Sequence, residues 1–482
     1  MRILIINYEF PPIGAGGGKA SQKLAGCLVE MDHTVRVITS RPTQLYTFFG
    51  NICLLLGFGF WIYLIYAKFA YSEDLSDHGF TILGSLLMLT GFILRSTGLI
   101  WELTNPIRGL KPVEFIDGVE VQRIPVLRQR QEYCSTFEMA TFVLSGLWHS
   151  FFQAPKFKPD VVHIFFGIPD GPLGWALKRA YGLPYLISLR GADVPSDEVK
   201  RFTKHYQLLR PFIRWLWRDA DAVVAVSNGL REYASETVPD LPIEVIPNAI
   251  ELSLFTPPRQ RNHDGPVRLI FVGRLNAFKN AEMLLEVAGH LKEMGVDNFE
   301  LQLVGEGEQR SNLERLAVEK GLTRQVRFLG WVDRTALVEF YRQADLFVTA
   351  TTWEGMPNTV LEGMACGLPV VGTRASGLAE LVREGVNGYL VDIHDSATLA
   401  DRLADLIDNP HERQRMGKES RKIAEQEFAW DYIAEQYVEI YKRIIAAKAP
   451  VRREKLEIRN EKVESRKEKL EMRNEKLEEG GN

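Results

Sequence analysis

Short apolar runs separated by helical patterns are the feature that most limits the fold of this chain. Six of these runs lie before residue 247 and five lie after residue 266. They are Ile3–Ile6, Val35–Thr39, Val161–Phe165, Tyr185–Leu189, Ala222–Ser227, Glu244–Ile246, Val267–Val272, Phe299–Val304, Val326–Leu329, Leu346–Ala350 and Pro369–Thr373. Strands that alternate with helices in this way are typical of parallel βαβ units. The sequence therefore predicts an α/β fold of two doubly wound, Rossmann-like domains that face each other across a cleft.

The segment 247–266 is rich in proline, arginine, glutamine and asparagine, and it is predicted to link the two domains. The first domain then covers residues 1–246 and the second covers residues 267–425. The tail over 450–482 is a low-complexity sequence in which glutamate and lysine are interspersed at helical spacing. This pattern predicts a solvated helix, with a weak coiled coil as the alternative.

Composition excludes several classes of protein. The 482 residues carry a net charge of −4, which gives no reason to expect a nucleic-acid partner. The four cysteines are scattered without a C-x-x-C pair, which argues against a zinc site or a disulfide framework. The chain is therefore expected to work in a reducing compartment.

Residues 43–112 do not follow the alternation of strands and helices. Tyr46–Ala67 contains no charged residue and Phe80–Trp101 contains one, Arg95, and each stretch has 22 residues. About 20 apolar residues span a bilayer, so the insertion is predicted to be a helical transmembrane hairpin. Its connector is acidic and its flanks are basic, which places both large domains in the cytoplasm. A hairpin that dips into one leaflet and a buried helical pair are the alternatives.

Two glutamates, Glu354 and Glu362, lie on either side of a Gly-Met-Pro-Asn turn. Asn358 and Thr359 favour the N-terminal cap of a helix, which is predicted to begin there and to run through Cys366. The first N–H groups of a helix, together with its dipole, suit a phosphate group. The two carboxylates then flank an anion site, where they can hold hydroxyl groups of a sugar or a ribose.

Two further loops follow predicted strands. Gly16 and Gly17 lie in a glycine-rich loop that lets the backbone approach a ligand, with a helix expected from about Ala20. This loop is neither a P-loop nor a G-x-G-x-x-G fingerprint. Arg274 and Lys279 follow a strand of the second domain, and two cations at this spacing suit a diphosphate. Each loop alone is also compatible with tight packing or with ordinary surface charge.

Together these elements resemble the motifs of the family 4 retaining glycosyltransferases (glycosyltransferase group 1), which have the GT-B fold. The resemblance is carried mainly by Glu354–Val371 and by Gly273–Lys279. Further matches are Pro11-Pro12 followed by Gly16-Gly17, Val304-Gly305-Glu-Gly307 and Phe328-Leu-Gly-Trp331. It covers roughly residues 1–42 and 113–446, and in relatives a segment like 426–446 crosses back onto the first domain.

The resemblance implies roles for individual residues. Arg274 and Lys279 would neutralise the diphosphate of a nucleotide-sugar. Glu354 would contact the transferred sugar, and Glu362 would hold the ribose hydroxyls. Trp331 belongs to the segment that forms the base pocket in relatives. The residues implied in donor binding are Gly16, Gly17, Gly273, Gly305, Trp331, Asn358, Thr359, Val360, Leu361 and Glu362.

The first domain departs from the family pattern in its expected site. Relatives carry His-Gly-x-x-Asp at a strand end where this chain has Arg190-Gly-Ala-Asp193. Arginine cannot act as a base at neutral pH, but it can stabilise phosphate charge or bind an acidic acceptor. Asp193 is expected to contact the acceptor or the sugar, while His163 is either a satisfied strand-end residue or a catalytic one. The expected catalytic residues are Glu354, Arg274, Lys279, Asp193 and Arg190.

These expectations combine into one function. The chain is expected to be a metal-independent retaining glycosyltransferase that moves a sugar from a UDP- or GDP-sugar to a membrane- or lipid-linked acceptor, in the synthesis of a cell-surface polysaccharide or glycolipid. It needs no cofactor beyond the nucleotide-sugar, and its catalytic domains face the cytoplasm at the membrane. The alternative is a catalytically degenerate, membrane-tethered scaffold that binds a nucleotide-sugar. A dinucleotide-dependent enzyme is a third interpretation, but no acidic residue completes a glycine fingerprint.

Overall fold

Two sheets organise the computed structural model, which describes residues 1–9, 16–43, 53–54, 56–59, 61–62, 85–93, 110–127, 136–191, 193–194, 203–259 and 265–448. The strands are β1 (Arg2–Ile6), β2 (Thr34–Thr43), β3 (Val113–Ile116), β4 (Val119–Leu127), β5 (Val161–Ile164), β6 (Tyr185–Leu189), β7 (Ala222–Ala225), β8 (Ile243–Val245), β9 (Val267–Val272), β10 (Phe299–Val304), β11 (Val326–Gly330), β12 (Leu346–Thr349), β13 (Val370–Thr373) and β14 (Gly388–Val391). The helices are α1 (Gly16–Glu30), α2 (Thr136–Phe157), α3 (Gly171–Tyr181), α4 (Thr203–Asp219), α5 (Asn228–Thr237), α6 (Ala281–Glu293), α7 (Arg310–Glu319), α8 (Arg334–Gln343), α9 (Asn358–Ala365), α10 (Ser396–Asp408), α11 (Pro410–Glu427) and α12 over 430–448.

The first sheet has the strand order β3-β4-β2-β1-β5-β6-β7-β8, and only the edge pair β3–β4 is antiparallel among its described pairs. The side chains of β1, β5 and β6 are almost all buried, as expected for strands covered on both faces. The sequence analysis did not predict β3 and β4. Their apolar residues alternate with glutamate, glutamine and arginine because they lie at an edge of the sheet, so they lack the continuous apolar run of a central strand.

Three helices of the first domain lie side by side. Aromatic side chains make the contacts between these helices. The ring centroids of Phe151 in α2 and Tyr181 in α3 are 5.4 Å apart. Trp175 of α3 and Trp215 of α4 are likewise 4.9 Å apart. The three helices therefore form one layer over the sheet.

The second sheet has the order β11-β10-β9-β12-β13-β14, and every described pair is parallel. From β9 the chain winds outward to β11 and then returns to β12 on the other side of β9. The reversal leaves a crevice at the carboxyl ends of β9 and β12, which is where open α/β sheets bind ligands. The loops after these two strands carry Arg274, Lys279 and Glu354.

The chain crosses between the domains twice. The linker pairs with the end of α11, since the Ile250 amide donates to the Phe428 carbonyl oxygen at 2.8 Å. Helix α12 then packs on the first domain, where Tyr441 meets His163 of β5 and Arg443 forms an ion pair with Glu244 of β8. A helix at the C-terminal end of the second domain thus contributes side chains to the first.

Most of the predicted insertion, 43–112, lies outside the described residues, and so does the predicted helical tail over 450–482. The described parts of the insertion, 53–54, 56–59, 61–62 and 85–93, are helical. Their exposed large apolar side chains are Leu56, Phe58, Ile62, Leu86, Leu89, Phe92 and Ile93. Within the described ranges, no helix combines the length and the apolar character that crossing a membrane requires. The described residues thus do not support the transmembrane hairpin, which stays a prediction.

Candidate active site

The loops after β9 and β12 are tied together by their backbones. The Thr352 amide donates to the Phe278 carbonyl oxygen at 2.9 Å, and the Thr351 hydroxyl donates to the same oxygen at 3.1 Å. Phe278 lies in a short 3-10 turn (Ala277–Lys279), where the Lys279 amide donates to the Asn276 side-chain oxygen at 3.1 Å. These bonds place Lys279 opposite Glu354.

Lys279 and Glu354 form a close ion pair across the crevice. The Lys279 Nζ atom lies 2.5 Å from Glu354 Oε2, and the two side chains are 18% and 23% exposed. The Glu354 carbonyl oxygen accepts hydrogen bonds from the Ser376 hydroxyl and the Gly377 amide, which hold the loop. Arg274 is exposed nearby in the loop after β9. The residues expected to contact diphosphate and sugar therefore lie within one crevice.

Helix α9 begins at Asn358, and its N-terminal cap is Pro357 rather than Asn358 or Thr359. The prediction of the capping residue was wrong because the extended backbone of Pro357 lets its carbonyl oxygen accept from the amides of Val360 and Leu361. No described side chain caps this helix end. Its first amides thus remain available to an anion.

Glu362 is buried one turn inside α9 and is already engaged by two side chains. The Tyr341 hydroxyl donates to Glu362 Oε2 at 3.0 Å, and Arg334 Nε lies 3.6 Å from Oε1. Burial raises the pKa of Glu362, and the charge of Arg334 opposes this rise. The sequence analysis singled out neither Tyr341 nor Arg334. Trp331, three residues before Arg334, is 74% exposed.

Glycine at position 305 is required by its backbone packing against Gly273. Gly305 has a φ of +141°, and a Cβ atom there would lie 1.9 Å from the Gly273 carbonyl oxygen. The Gly305 amide also donates to the Gly330 carbonyl oxygen at 2.8 Å. The ends of β9, β10 and β11 are therefore in direct backbone contact beside the crevice.

Gly16 and Gly17 form the first turn of α1, although the sequence analysis expected the helix from about Ala20. That expectation was wrong because glycine also adopts helical angles, so a glycine-rich string does not have to end a loop. Lys19 follows in the same helix, and its pKa is lowered by burial and by Arg334, while Glu362 raises it. The first turn of α1 therefore faces the residues around Glu362 in the second domain.

Asp193 anchors the loop that follows β6. Its carboxylate is buried and accepts from the amides of Gly167 (2.7 Å), Arg190 (2.9 Å) and Gly191 (3.0 Å). The expected contact of Asp193 with acceptor or sugar stays a prediction. Arg190 is half-buried and lies with its guanidinium carbon 4.9 Å from the centroid of the Phe165 ring.

His163 is fully buried with both ring nitrogens bonded. Nδ1 lies 2.6 Å from the Tyr441 hydroxyl and Nε2 lies 2.7 Å from the Ser188 hydroxyl. Burial, together with the charge of Arg190, holds the pKa of His163 well below its usual range. The imidazole is therefore neutral, as the interpretation of a satisfied strand-end residue requires.

The two domains touch where the loop after β6 meets the loop after β12. A Cβ atom on Gly191 would lie 3.1 Å from the Trp353 ring, and one on Gly355 would lie 3.3 Å from the Arg190 carbonyl oxygen. On the other side, Glu380 accepts from the Gly229 amide at 3.0 Å. The loop that carries Glu354 thus packs directly against the loop that carries Arg190.

One group of three metal-ligating side chains is found among the described residues. Cys27, Glu30 and Asp431 have ligand atoms within 4.8 Å of one another. They lie at the last turns of α1 and the start of α12, whereas the crevice lies at the carboxyl ends of β9 and β12.

Comparison with known proteins identifies this architecture. A glycosyl transferase 4-like domain profile matches residues 15–249, and a profile of the glycosyl transferases group 1 matches residues 256–423. The lipopolysaccharide core biosynthesis glycosyltransferase LpsE of Rhizobium meliloti (strain 1021) is 31% identical over 280 residues, which cover 56% of this chain and 75% of that protein.

Solved structures share the fold. Sucrose-phosphate synthase from Thermosynechococcus elongatus superposes with a TM-score of 0.67 at 20% identity, covering 92% of this chain and 99% of that chain. Anabaena HepE, solved in complex with UDP-glucose, superposes with a TM-score of 0.60 at 18% identity. The match covers 92% of this chain and 100% of that chain. The predicted GT-B fold is confirmed. This chain therefore belongs to the group 1 glycosyltransferases, with a glycosyl transferase 4-like N-terminal domain.

Proposed function

We propose that this protein is a retaining, metal-independent transferase that moves a sugar from a UDP- or GDP-sugar to a membrane- or lipid-linked acceptor in the synthesis of a cell-surface polysaccharide or glycolipid. The observation that carries the proposal is the close contact of Lys279 and Glu354 beside the uncapped end of α9. The similarity to LpsE, a lipopolysaccharide core enzyme, supports the acceptor class, and the UDP-glucose complex of HepE supports the donor class.

The crevice supplies positive charge for a leaving diphosphate without a metal. Arg274 and Lys279 lie in the loop after β9, and α9 begins four residues after Glu354, the partner of Lys279. Fixed donors of this kind stabilise developing negative charge in a transition state. Lys279 exchanges its contact with Glu354 for the diphosphate when the donor binds. The Glu354 carboxylate then accepts hydroxyl groups of the sugar.

Retention follows when acceptor and leaving group use the same face of the sugar. The bond between the anomeric carbon and the phosphate oxygen breaks, and the acceptor oxygen bonds to that carbon from the same side. The acceptor proton passes to the leaving phosphate oxygen, and the nucleoside diphosphate departs. No side-chain base is needed, which accommodates arginine at position 190.

Glu362 is positioned to bind a ribose. Its two oxygens face different partners, Tyr341 at one and Arg334 at the other, so the carboxylate plane is fixed. A fixed carboxylate accepts from two neighbouring hydroxyls at little cost in conformational entropy. Lys19 of the first domain is close enough to Glu362 for the two charges to interact.

A donor screen tests the proposed reaction. Purified full-length protein is incubated with UDP- and GDP-sugars, with and without extracted polyprenyl lipids, and release of UDP or GDP is measured. We expect one donor to be consumed, faster with lipid. Arg274→Ala should lower this rate at least about tenfold, roughly 1.4 kcal/mol, because a cation facing the diphosphate is lost.

The matched control is Arg315→Ala, which removes an exposed arginine of α7 that pairs with Glu319. It should leave the rate unchanged. Tight binding of UDP or GDP without turnover of any donor would favour the scaffold alternative, and absence of nucleotide binding would refute the transferase proposal.

The outer face of α2 and α4 supports an acceptor held at a membrane. Its exposed large apolar side chains are Phe137, Leu144, Trp148, Phe151 and Phe152 on α2 and Leu208, Phe212 and Trp215 on α4. Exposed cations are interleaved with them, namely Lys156, Arg210 and Arg218. Tryptophan beside arginine or lysine is the composition of a helix that lies in the interface of an anionic bilayer.

The α2 side of this face lies near the two ends of the inserted segment. The Arg41 guanidinium donates to the Leu110 carbonyl oxygen at 3.4 Å, which joins the two ends of the inserted segment beside β2. Helix α2 packs on β4, the neighbour of β2, through the bond from the Leu127 amide to the Thr141 hydroxyl. The insertion and the exposed aromatic residues of α2 thus adjoin one edge of the first domain. The catalytic domains lie on the cytoplasmic side of the membrane in the proposed arrangement.

Quenching by brominated lipids tests this contact whether or not the insertion anchors the chain. Full-length protein is mixed with vesicles of zwitterionic and anionic lipid that carry bromine on their acyl chains. Replacing Trp148 and Trp215 by phenylalanine should lower the quenched fraction of tryptophan fluorescence, because both rings enter the interface. Trp331→Phe, which removes an exposed tryptophan of the second domain, should not. Equal quenching in the double variant and the wild type would refute the contact.

A further inference from the structure

Arg190 lies at the seam between the two domains. It is the first residue after β6, and its loop is fixed on one side by the Asp193 carboxylate. On the other side its carbonyl oxygen faces Gly355, the residue after Glu354. The backbone of Arg190 therefore lies directly beside the loop that carries Glu354.

The guanidinium of Arg190 has no salt bridge to a carboxylate among the described residues. Its guanidinium carbon lies 4.9 Å from the centroid of the Phe165 ring. Burial lowers the pKa of Arg190, and the nearby Tyr437 hydroxyl and Asp193 carboxylate oppose this shift. The Asp193 carboxylate itself accepts from three backbone amides. The buried guanidinium of Arg123, by contrast, is paired with Glu114. A half-buried cation that no carboxylate contacts directly gains stability when an anion binds it.

Tyr437 belongs to α12, the helix that returns from the second domain. Its hydroxyl also lies 3.3 Å from the Ser188 hydroxyl, which bonds His163. The Phe165 ring that the guanidinium contacts also stacks on the neutral His163 ring, with centroids 4.5 Å apart. The cluster thus surrounds the guanidinium with rings and hydroxyl groups, and no carboxylate of the described residues lies within ion-pair distance of it.

We propose that Arg190, held in position by Tyr437, forms a binding site for a phosphate group of a substrate. The planar guanidinium presents paired donors that match phosphate oxygens. The phosphate belongs either to the diphosphate of the donor or to a phosphorylated acceptor. Tyr437 acts as a positioning residue, so α12 couples the second domain to this site. The inference rests on the proposed transferase function, whose crevice it extends.

Calorimetric titration of the full-length protein tests the site in two arms. UDP (or GDP, if the donor screen selects it) is titrated first, and inorganic phosphate is then titrated into the nucleotide-saturated protein. Arg190→Gln is expected to weaken one of these affinities about tenfold, and Arg190→Lys should weaken it less, because a charged hydrogen bond is lost in the first and partly kept in the second. Tyr437→Phe is expected to weaken the same affinity about threefold.

Tyr441→Phe is the matched control, since Tyr441 is a tyrosine of the same helix whose hydroxyl bonds His163 instead. It should change neither affinity, while melting temperatures show whether each variant is folded. A loss confined to nucleotide assigns the site to the donor diphosphate, and a loss confined to phosphate assigns it to the acceptor. Unchanged affinities in Arg190→Gln would overturn the site, and equal behaviour of the two tyrosine variants would overturn the positioning role. A wild type that binds no nucleotide would refute the transferase proposal, and phosphate titration of the free protein would still decide this one.

Discussion

Replacing Glu354 by glutamine is expected to slow sugar transfer about 100-fold, which corresponds to about 2.7 kcal/mol of transition-state stabilisation. The carboxylate lies against Lys279 in the crevice and is proposed to accept sugar hydroxyls once Lys279 turns to the diphosphate. Glutamine keeps the shape of the side chain, but it removes the charge and replaces one acceptor with a donor. The measurement is the rate of transfer to acceptor at saturating donor, together with the rate of donor hydrolysis.

Binding of free nucleotide separates this effect from simple damage to the site. Because Glu354 competes with the diphosphate for Lys279, the glutamine variant should bind UDP or GDP at least as tightly as the wild type. Glu282→Gln, an exposed glutamate in the first turn of α6, is the matched control and should lose less than about twofold. A loss of transfer below tenfold in Glu354→Gln would contradict the assigned role.

Replacing Gly305 by alanine is expected to destabilise the second domain by more than about 3 kcal/mol. The new Cβ atom would lie 1.9 Å from the Gly273 carbonyl oxygen, at a φ of +141° that side chains rarely adopt. The Gly305 amide also donates a hydrogen bond to the Gly330 carbonyl oxygen. Backbone atoms therefore hold Gly305 on both sides and prevent a local shift. The loops that carry Arg274 and Lys279 should be displaced with it.

Thermal unfolding and nucleotide titration measure the two consequences. The melting temperature of Gly305→Ala should fall by about 6 °C or more, and nucleotide affinity should fall with it. Gly289→Ala in helix α6 is the matched control, since no heavy atom lies within 4 Å of its added Cβ. That change should stabilise the helix by about 0.5–1 kcal/mol. Equal melting temperatures for the two variants would show that the backbone contact is not formed.

Most of the strands that periodicity predicted are buried on both faces, although the predicted strands β8 and β11 lie at sheet edges and carry exposed residues. All eleven apolar runs correspond to strands of the two sheets, because a central parallel strand needs a continuous apolar sequence. The three strands that were missed, β3, β4 and β14, lie at or next to sheet edges. Their side chains meet water on one side, or the strand is only four residues long, so no apolar run marks them.

The predicted site residues divide in the same way. Lys279 follows β9 and Glu354 follows β12, and these two strands are adjacent where the strand order reverses. The proximity of the two residues therefore follows from their positions after the strands together with the topology of the sheet. Tyr341 and Arg334 reach Glu362 from another helix, α8, and nothing in their local sequence indicates it. The cap at Pro357 and the start of α1 at Gly16 each depend on the backbone conformation of one residue. Several residue types can adopt that conformation, so the sequence does not identify the position.

The amino-acid sequence by itself determined the class of the fold, eleven of the described strands in the two sheets and the loop that holds the crevice cations. These properties depend on local periodicity and on which residues end a strand. Only the tertiary structure decided which partners those residues meet: Tyr341 and Arg334 at Glu362, three amides at Asp193, and Tyr437 at Arg190. Such contacts join positions far apart in the chain, and their free energy depends on distances of a few ångströms that only the packed helices and sheets define.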